Sequence, residues 1–476
     1  MRTKTLLLVV LSMIITTATA GDEPWKDLFD GKSLYGWHQL NGEAKYEIVD
    51  GAIVGTSVLN TPNSFLCTKA HYSDFILELE FKVDPKLNTG VQIRSNSYPE
   101  YNNGRVHGYQ IEIDPAQSPY NGQHGPNYQQ DGSVAPTTEA RRWTGGIYDE
   151  ARRGWVHPLT HNPQGRKAFK PGQWNLMRVE AIGDTLKTWI NDVPTAHLVD
   201  AMTDNGFIAL QVHGIGRTKE KEGTTVQWRN IRIIDENVEA YTRSSPLPAH
   251  NNFNKLTSNE KKSGWKLLWD GKTTEGWHGA KIDHFPKSGW IIKDDTLTVL
   301  ATGGGESTAG GDIVTNEKYS NFELCVDFKI TAGANSGIKY FVDTELNKGD
   351  GSAIGLEFQI LDDERHKDAK LGNHAGSRTV ASLYDLIMAA PDEKHPRRIG
   401  EWNHAKIVSK GNHVEHWLNG RKVLEFERKS PEYRKLVAES KYKDWPSFGE
   451  LPEGQILLQD HGDHVSFRNI KIKVLK

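Results

Sequence analysis

Cysteine is nearly absent from this chain: 476 residues contain two, Cys67 and Cys325. They fall at non-equivalent places in the two halves, so a disulfide would have to tie one half to the other. Each is read instead as a small buried hydrophobe. With no clustered Cys, thiol catalysis and cysteine-ligated metal sites are excluded. An excess of charge is lacking too. The 58 Lys and Arg stand against 61 Asp and Glu, a net charge of −3, and loss of a leader carrying Arg2 and Lys4 would make it more negative. A nucleic-acid partner needs clustered cations, and that balance argues against one. Long apolar runs are missing after Leu6–Ile15, so no transmembrane segment is expected. Helical periodicity is scarce as well. Pro431–Lys441 is the best helix pattern, and it is short.

The N-terminus reads as a targeting segment over residues 1–20. Arg2 and Lys4 form a basic head, Leu6–Ile15 an apolar run, and Ala18-Thr19-Ala20 a small-residue cleavage site. The expectation is export to a periplasm or the medium. Tryptophan is plentiful, with 14 residues. Trp fills sheet cores, and its indole face also stacks on pyranose rings.

Internal repetition sets the organisation. Leu28–His38, LFDGKSLYGWH, returns as Leu268–His278, LWDGKTTEGWH. Phe75–Arg94 returns as Phe322–Phe341, and Gly172–Asn191 as Gly400–Asn419. GFIALQVHG at 206–214 matches GQILLQDHG at 454–462, and QWRNIRI at 227–233 matches SFRNIKI at 466–472. A repeat of about 220 residues is a whole domain rather than a solenoid unit. The expected domains are 22–240 and 264–476, joined by a polar linker over 241–263 that has no apolar period.

Nearly every periodic segment alternates at period two and is bounded by Gly, Asn, Asp or Pro, which predicts an all-β chain of sandwiches, jelly rolls or barrels. One strand stands out. In Val106–Pro115, VHGYQIEIDP, apolar Tyr109, Ile111 and Ile113 alternate with Gln110, Glu112 and Asp114. The three polar side chains therefore share one face. Ala353–Asp362, AIGLEFQILD, repeats the pattern and sets Glu357 and Gln359 opposite Gln110 and Glu112. A row of Glu and Gln kept twice is where a ligand is expected.

LFDGKSLYGWH, NTGVQIRS, GYQIEID, GGIYDEARRGW, GQWN…WIN and RNIRI in fixed order resemble the 3-keto-disaccharide hydrolase family. The second half resembles it through LWDGKTTEGWH, NSGIKY, GLEFQILDD, ASLYDL, GEWN…WLNG and LLQDHGDHVSFRNIKI. The resemblance covers nearly all of the chain after the leader. It implies two tandem concanavalin A-like jelly-roll sandwiches, export, and action on oxidised glucosides.

A ketone at C3 of a glucoside acidifies the hydrogen at C2. Its removal gives an enolate that can expel the C1 substituent, and water can then complete a hydrolysis. Such a site needs a base, donors for the enolate oxygen and an acid for the leaving group. A conventional glycosidase would need two carboxylates flanking C1. In the first domain Glu112 and Asp114 are the candidate bases. Neighbours on one strand face lie about 7 Å apart, a spacing that does not choose between these mechanisms. Gln92, Arg94, Gln110, Tyr148 and His213 are candidate substrate-binding groups, with Arg94 placed to hold an oxyanion. Long polar segments at 116–143 and 150–170 add Tyr120, Trp143, Arg152, Arg153 and Trp155 over the site mouth.

In the second domain Glu357 is the acid or base, Asp460 and His461 form an orienting pair, and Lys339, Gln359 and Tyr384 line the site. His461 and His464 with Asp460 and Asp463 form a candidate divalent-metal set, against the plainer reading of a solvated turn. Which domain is active stays open at this level. An amide cannot be a base, so Gln110 against Glu357 is the sharpest difference between the copies. The non-enzymatic alternative is a lectin-like protein whose duplication raises avidity.

Overall fold

The computed structural model describes residues 24–115, 143–303, 305–346, 352–445 and 447–476. The leader expected over 1–20, Tyr120 and most of the 116–143 segment lie outside them. The all-β expectation holds: the chain folds as two jelly-roll sandwiches in tandem. In the first half a nine-stranded sheet packs on a seven-stranded one; in the second, an eight-stranded sheet packs on a five-stranded one.

Alternation builds each core. In the first half Phe75, Leu77, Leu79 and Phe81 of strand Phe75–Val83 meet Val91, Ile93, Tyr109, Ile111 and Ile113 from the facing sheet. In the second, Phe322, Leu324, Val326 and Phe328 meet Ile338, Tyr340, Leu356, Phe358 and Ile360. Each such side chain contributes about 1.5–3 kcal/mol when removed from water. Because these residues point inward, Gln110 and Glu112 of strand His107–Ile113, and Glu357 and Gln359 of strand Ile354–Leu361, stand on the outer face. That face is covered as well, and all four residues are buried.

Strand Thr89–Asn96 pairs with His107–Ile113, but its register slips between Ile93 and Asn96, where Arg94 takes a left-handed φ of 44°. Strand Asn335–Asp343 slips at the equivalent place, where Phe341 has φ 50°. These bulges overturn one expectation, that Arg94 could hold an oxyanion in the site. The bulge turns it toward the end of the sandwich, where its guanidinium donates to the Ser73 and Gly183 carbonyls at 2.6 and 2.7 Å and pairs with Asp74 at 2.9 Å. Arg94 ties two turns together and takes no part in the site.

Other segments also differ from the reading above. Ile147–Glu150 and Gly154–His157 form a hairpin that extends the seven-stranded sheet, not a loop over its mouth. Its turn is held by Asp149, whose oxygens receive Arg152 at 2.7 Å and Arg153 at 2.5 Å. The polar linker is fastened too. His250–Asn251 lies parallel to strand Val193–Val199, and helix Ser258–Lys262 carries a capping box between Thr257 and Glu260. The strongest helix pattern forms Pro431–Ala438, capped by Ser430. It stops short of Lys441, whose backbone N–H instead donates to the Asp385 carboxylate at 2.8 Å.

Candidate active site

Across the ladder of the second domain, Lys339 is paired directly with Glu357. Glu357 lies flat over Gly337, where a Cβ would come within 2.4 Å of the carboxylate. Any side chain there would push the acid out of place. Above it opens a cavity of about 140 Å³ lined by Glu306, Lys339, Glu357, Tyr384, Lys441 and His461, with Tyr442 and Trp445 on one wall. Strand pairing supplies Lys339 and Glu357. The turn after the helix brings Lys441, and the segment before strand Ile313–Thr315 brings Glu306 and Asp312.

The charges in this pocket are tightly balanced. Lys339 lies 3.4 Å from Asp312 and 3.7 Å from Glu306. Burial works against its charge, but the carboxylates of Asp312, Glu357 and Glu306 raise its ammonium well above the ordinary lysine value. Burial lifts Asp312 to about 6 against the pull of Lys339. Glu357 is lifted furthest of the two acids: burial pushes its carboxyl up to about 7, despite Lys339 and Lys441. Among the described residues no hydrogen-bond donor reaches that carboxylate. Lys441 is exposed at the rim, with its nitrogen 4.2 Å from the centre of the Tyr384 ring. The protein packed around it pulls its ammonium down, against the attraction of the Glu357 carboxylate, and Lys339 adds to the lowering. Among the described residues no carboxylate lies within 4 Å of it. Burial also lowers His461, which keeps its ring neutral, and its Nδ1 has no partner among the described residues.

The equivalent strand of the first domain bears amides where the second bears charges. Gln92 faces Gln110 just as Lys339 faces Glu357. Ser95 Oγ donates to Gln92 Oε1 at 2.9 Å, Gln92 Nε2 to Gln110 Oε1 at 2.6 Å, and Gln110 Nε2 to Glu112 Oε2 at 3.0 Å. Asn88 Nδ2 donates to the other Glu112 oxygen at 2.5 Å. Gln110, Glu112, Tyr148, Glu150, Trp155 and His213, with Asn63 and Asn88, line a recess of about 160 Å³.

Of the residues singled out from the sequence, the structure therefore brings Gln110, Glu112, Tyr148, Trp155 and His213 to one pocket, and Lys339, Glu357, Tyr384 and His461 to the other. The rest need correction. Asp114 lies beyond the end of its strand and does not line the recess. Gln92 and Gln359 are fully buried behind the pockets, the latter 3.4 Å from Asn335 and from the Arg378 carbonyl. Trp143 packs in the sandwich core, with Arg166 over its ring. Arg152 binds Asp149 and Thr203 and faces the cleft between the two halves.

Asp460 does not orient His461. One of its oxygens accepts the backbone N–H groups of Ala309, Gly310 and Gly311 at 2.8–2.9 Å, and the other that of Gly462. Tyr384 is committed as a donor to Asp368 at 2.8 Å. Nor does the HGDH turn gather a metal set. Asp463 accepts the Asn335 N–H, and among the described residues the metal-compatible trio is His413, Glu415 and Glu425 on another surface.

Both halves match the family model of the 3-keto-alpha-glucoside-1,2-lyase-like domain, over residues 24–234 and 264–473. The chain belongs to this family. It is 40% identical over 232 residues to a 3-keto-disaccharide hydrolase from Bacteroides thetaiotaomicron, a match covering 44% of this chain and 79% of that protein. Two solved structures of putative glycosyl hydrolases from Parabacteroides distasonis are also similar. One is 30% identical, covers 47% of this chain and 100% of its own, and has a TM-score of 0.41. The other is 32% identical, covers 44% and 99%, and has a TM-score of 0.34.

Within this lyase-like domain, sequence reasoning missed Glu306, Asp312 and Lys441. None lies on a strand bearing the repeated polar row. For Asp312 the available signal was an acid directly before an apolar strand, in GGDIVT. For Lys441 it was the cation that closes the strongest helix pattern.

Proposed function

We propose that the second domain cleaves 3-keto-glucosides by removing the proton at C2, with Glu357 as the base. The observation that carries this reading is a buried carboxylate at the pocket floor, uncapped by any donor among the described residues and poised near neutrality. A base of that strength holds a sizeable ionised fraction at neutral pH and still has real proton affinity. The electrons of the C2–H bond pass to the C3 oxygen as an enolate. Lys441, the cation at the rim with no carboxylate within 4 Å among the described residues, is placed to hold that oxygen. Collapse of the enolate forms the C1–C2 double bond and releases the C1 oxygen. Glu357, now protonated, can return its proton to the leaving group, and neutral His461 can hydrogen-bond to the sugar. Addition of water at C1 would turn the elimination into a net hydrolysis. The family match and the name of the 40% identical relative support a carbohydrate-active enzyme.

Release of nitrophenol from a nitrophenyl 3-keto-α-glucoside tests this. The wild type is expected to turn over with a primary isotope effect when C2 carries deuterium. Glu357→Gln should lose about 10²–10⁴-fold in kcat, the usual range for general-base catalysis. A wild type that leaves the oxidised sugar intact, or cleaves the unoxidised glucoside as readily, would overturn the reading.

A further inference from the structure

We propose that the recess of the first domain is a non-catalytic pyranoside-binding site, a second place where the chain holds the sugar without cleaving it. This rests on the assignment of catalysis to Glu357. Both halves match one lyase-like family model, yet the register shows the base replaced in the first. Where Lys339 faces Glu357, Gln92 faces Gln110. An amide takes up no proton at any pH in which the protein folds.

The remaining acid, Glu112, is one register step along the strand, and each of its oxygens accepts an amide N–H, from Asn88 and from Gln110. The chain Ser95→Gln92→Gln110→Glu112 runs in one direction, so every amide is fixed in orientation and the carboxylate is left as an acceptor. Such a group receives ligand hydroxyls well and is a constrained base. Glu357, by contrast, has no such caps among the described residues.

The rest of the recess suits a neutral sugar ring. Its volume of about 160 Å³ compares with about 140 Å³ in the second domain. The Glu112 carboxylate, and that of Glu150, which also pairs with Arg105 and receives Asn63 Nδ2 at 3.4 Å, are placed to accept from hydroxyls. Trp155, packed edge-on to Tyr148 with ring centres 5.5 Å apart, supplies an apolar wall.

The test is a calorimetric titration of the full chain bearing Glu357→Gln with methyl 3-keto-α-glucoside, with turnover of that variant and the wild type measured alongside. Two equivalents are expected to bind. Adding Glu112→Gln, or Trp155→Phe should the first variant melt early, is expected to reduce two equivalents to one. One equivalent that survives both substitutions, or none, would overturn the inference and leave Glu357 as the base. If Glu357→Gln keeps its turnover and Glu112→Gln abolishes it, the first domain is the enzyme and both assignments fall.

Discussion

Lys339 and Glu357 sit at the register positions that Gln92 and Gln110 hold in the other copy, and the exchange of two amides for two charges changes what the pocket can do. A buried acid lifted to about 7 must lose its proton before it can act. The kcat for a 3-keto-glucoside should therefore climb about tenfold per pH unit below 7 and level off above it. Lys339→Met removes a cation that favours the ionised acid, so the midpoint of that profile should move to higher pH. The same variant leaves Asp312 buried without its partner, which should cost about 3–5 kcal/mol in urea unfolding.

Glu357 has a further signature. Its folded-state value lies above its ordinary 4.5, so the protonated form is the one folding favours. That contribution is complete below 4.5 and is lost as pH rises through 7. Glu357→Gln should thus melt higher than the wild type at pH 8 and nearly alike at pH 4, separating lost catalysis from lost folding.

Strands carry the site, but the segments between them complete it. Asp460 shows how. Read from its neighbour His461, it suggested an orienting dyad; folded, it clamps three successive N–H groups at 309–311 and a fourth at Gly462. That clamp holds the segment that brings Glu306 to the pocket and Asp312 to Lys339. Asp460→Ala would strand buried donors, each costing about 1–3 kcal/mol, so a loss of at least about 3 kcal/mol is expected in urea unfolding. Any functional enzyme left should show a raised KM, because the rim beside Glu306 loosens.

The alternating pattern located both polar rows and their faces, since a period of two leaves one choice once the apolar face is buried. The pattern could not show the bulges at Arg94 and Phe341. A left-handed φ at an ordinary residue leaves no mark on hydrophobic periodicity, and one such turn moved Arg94 from the site to the sandwich end.

At the scale of the whole molecule, the two sandwiches meet through charged groups. Arg397 of the second half lies 3.3 Å from Asp204 and 3.9 Å from Asp184 of the first, and Thr257 Oγ donates to the Arg153 carbonyl at 2.7 Å. The cleft between them, about 460 Å³, is lined by both halves, with His404 on its wall. His404 donates to Asp327 at 2.7 Å. Burial opposes its charge, but Asp327 prevails and raises the imidazolium to about 9. A histidine lifted above its ordinary 6.5 stabilises fully below that value and loses the contribution as pH rises through 9. The melting temperature should therefore fall between pH 7 and 9, and His404→Gln should flatten that slope. A wild-type melting curve with no pH dependence there would refute the pairing.

The sequence by itself determined the all-β class, the duplication, the family, and the two strands on which the candidate acids lie. Each is local or repetitive information: alternation, turn residues, and motifs recurring in order. Only the tertiary structure decided which residues share a pocket with those acids. Glu306, Asp312 and Lys441 reach Glu357 from segments at least 45 residues away in the chain for the acids and 84 for the lysine, as the numbering shows. Burial, helped by the carboxylates of Glu306 and Asp312, lifted Glu357 toward 7, because a pKa depends on what surrounds a group in space and not on its neighbours along the chain. The same holds for Asp460, Arg152 and Trp143, whose residue types suggested chemistry until packing showed each already bound to the fold.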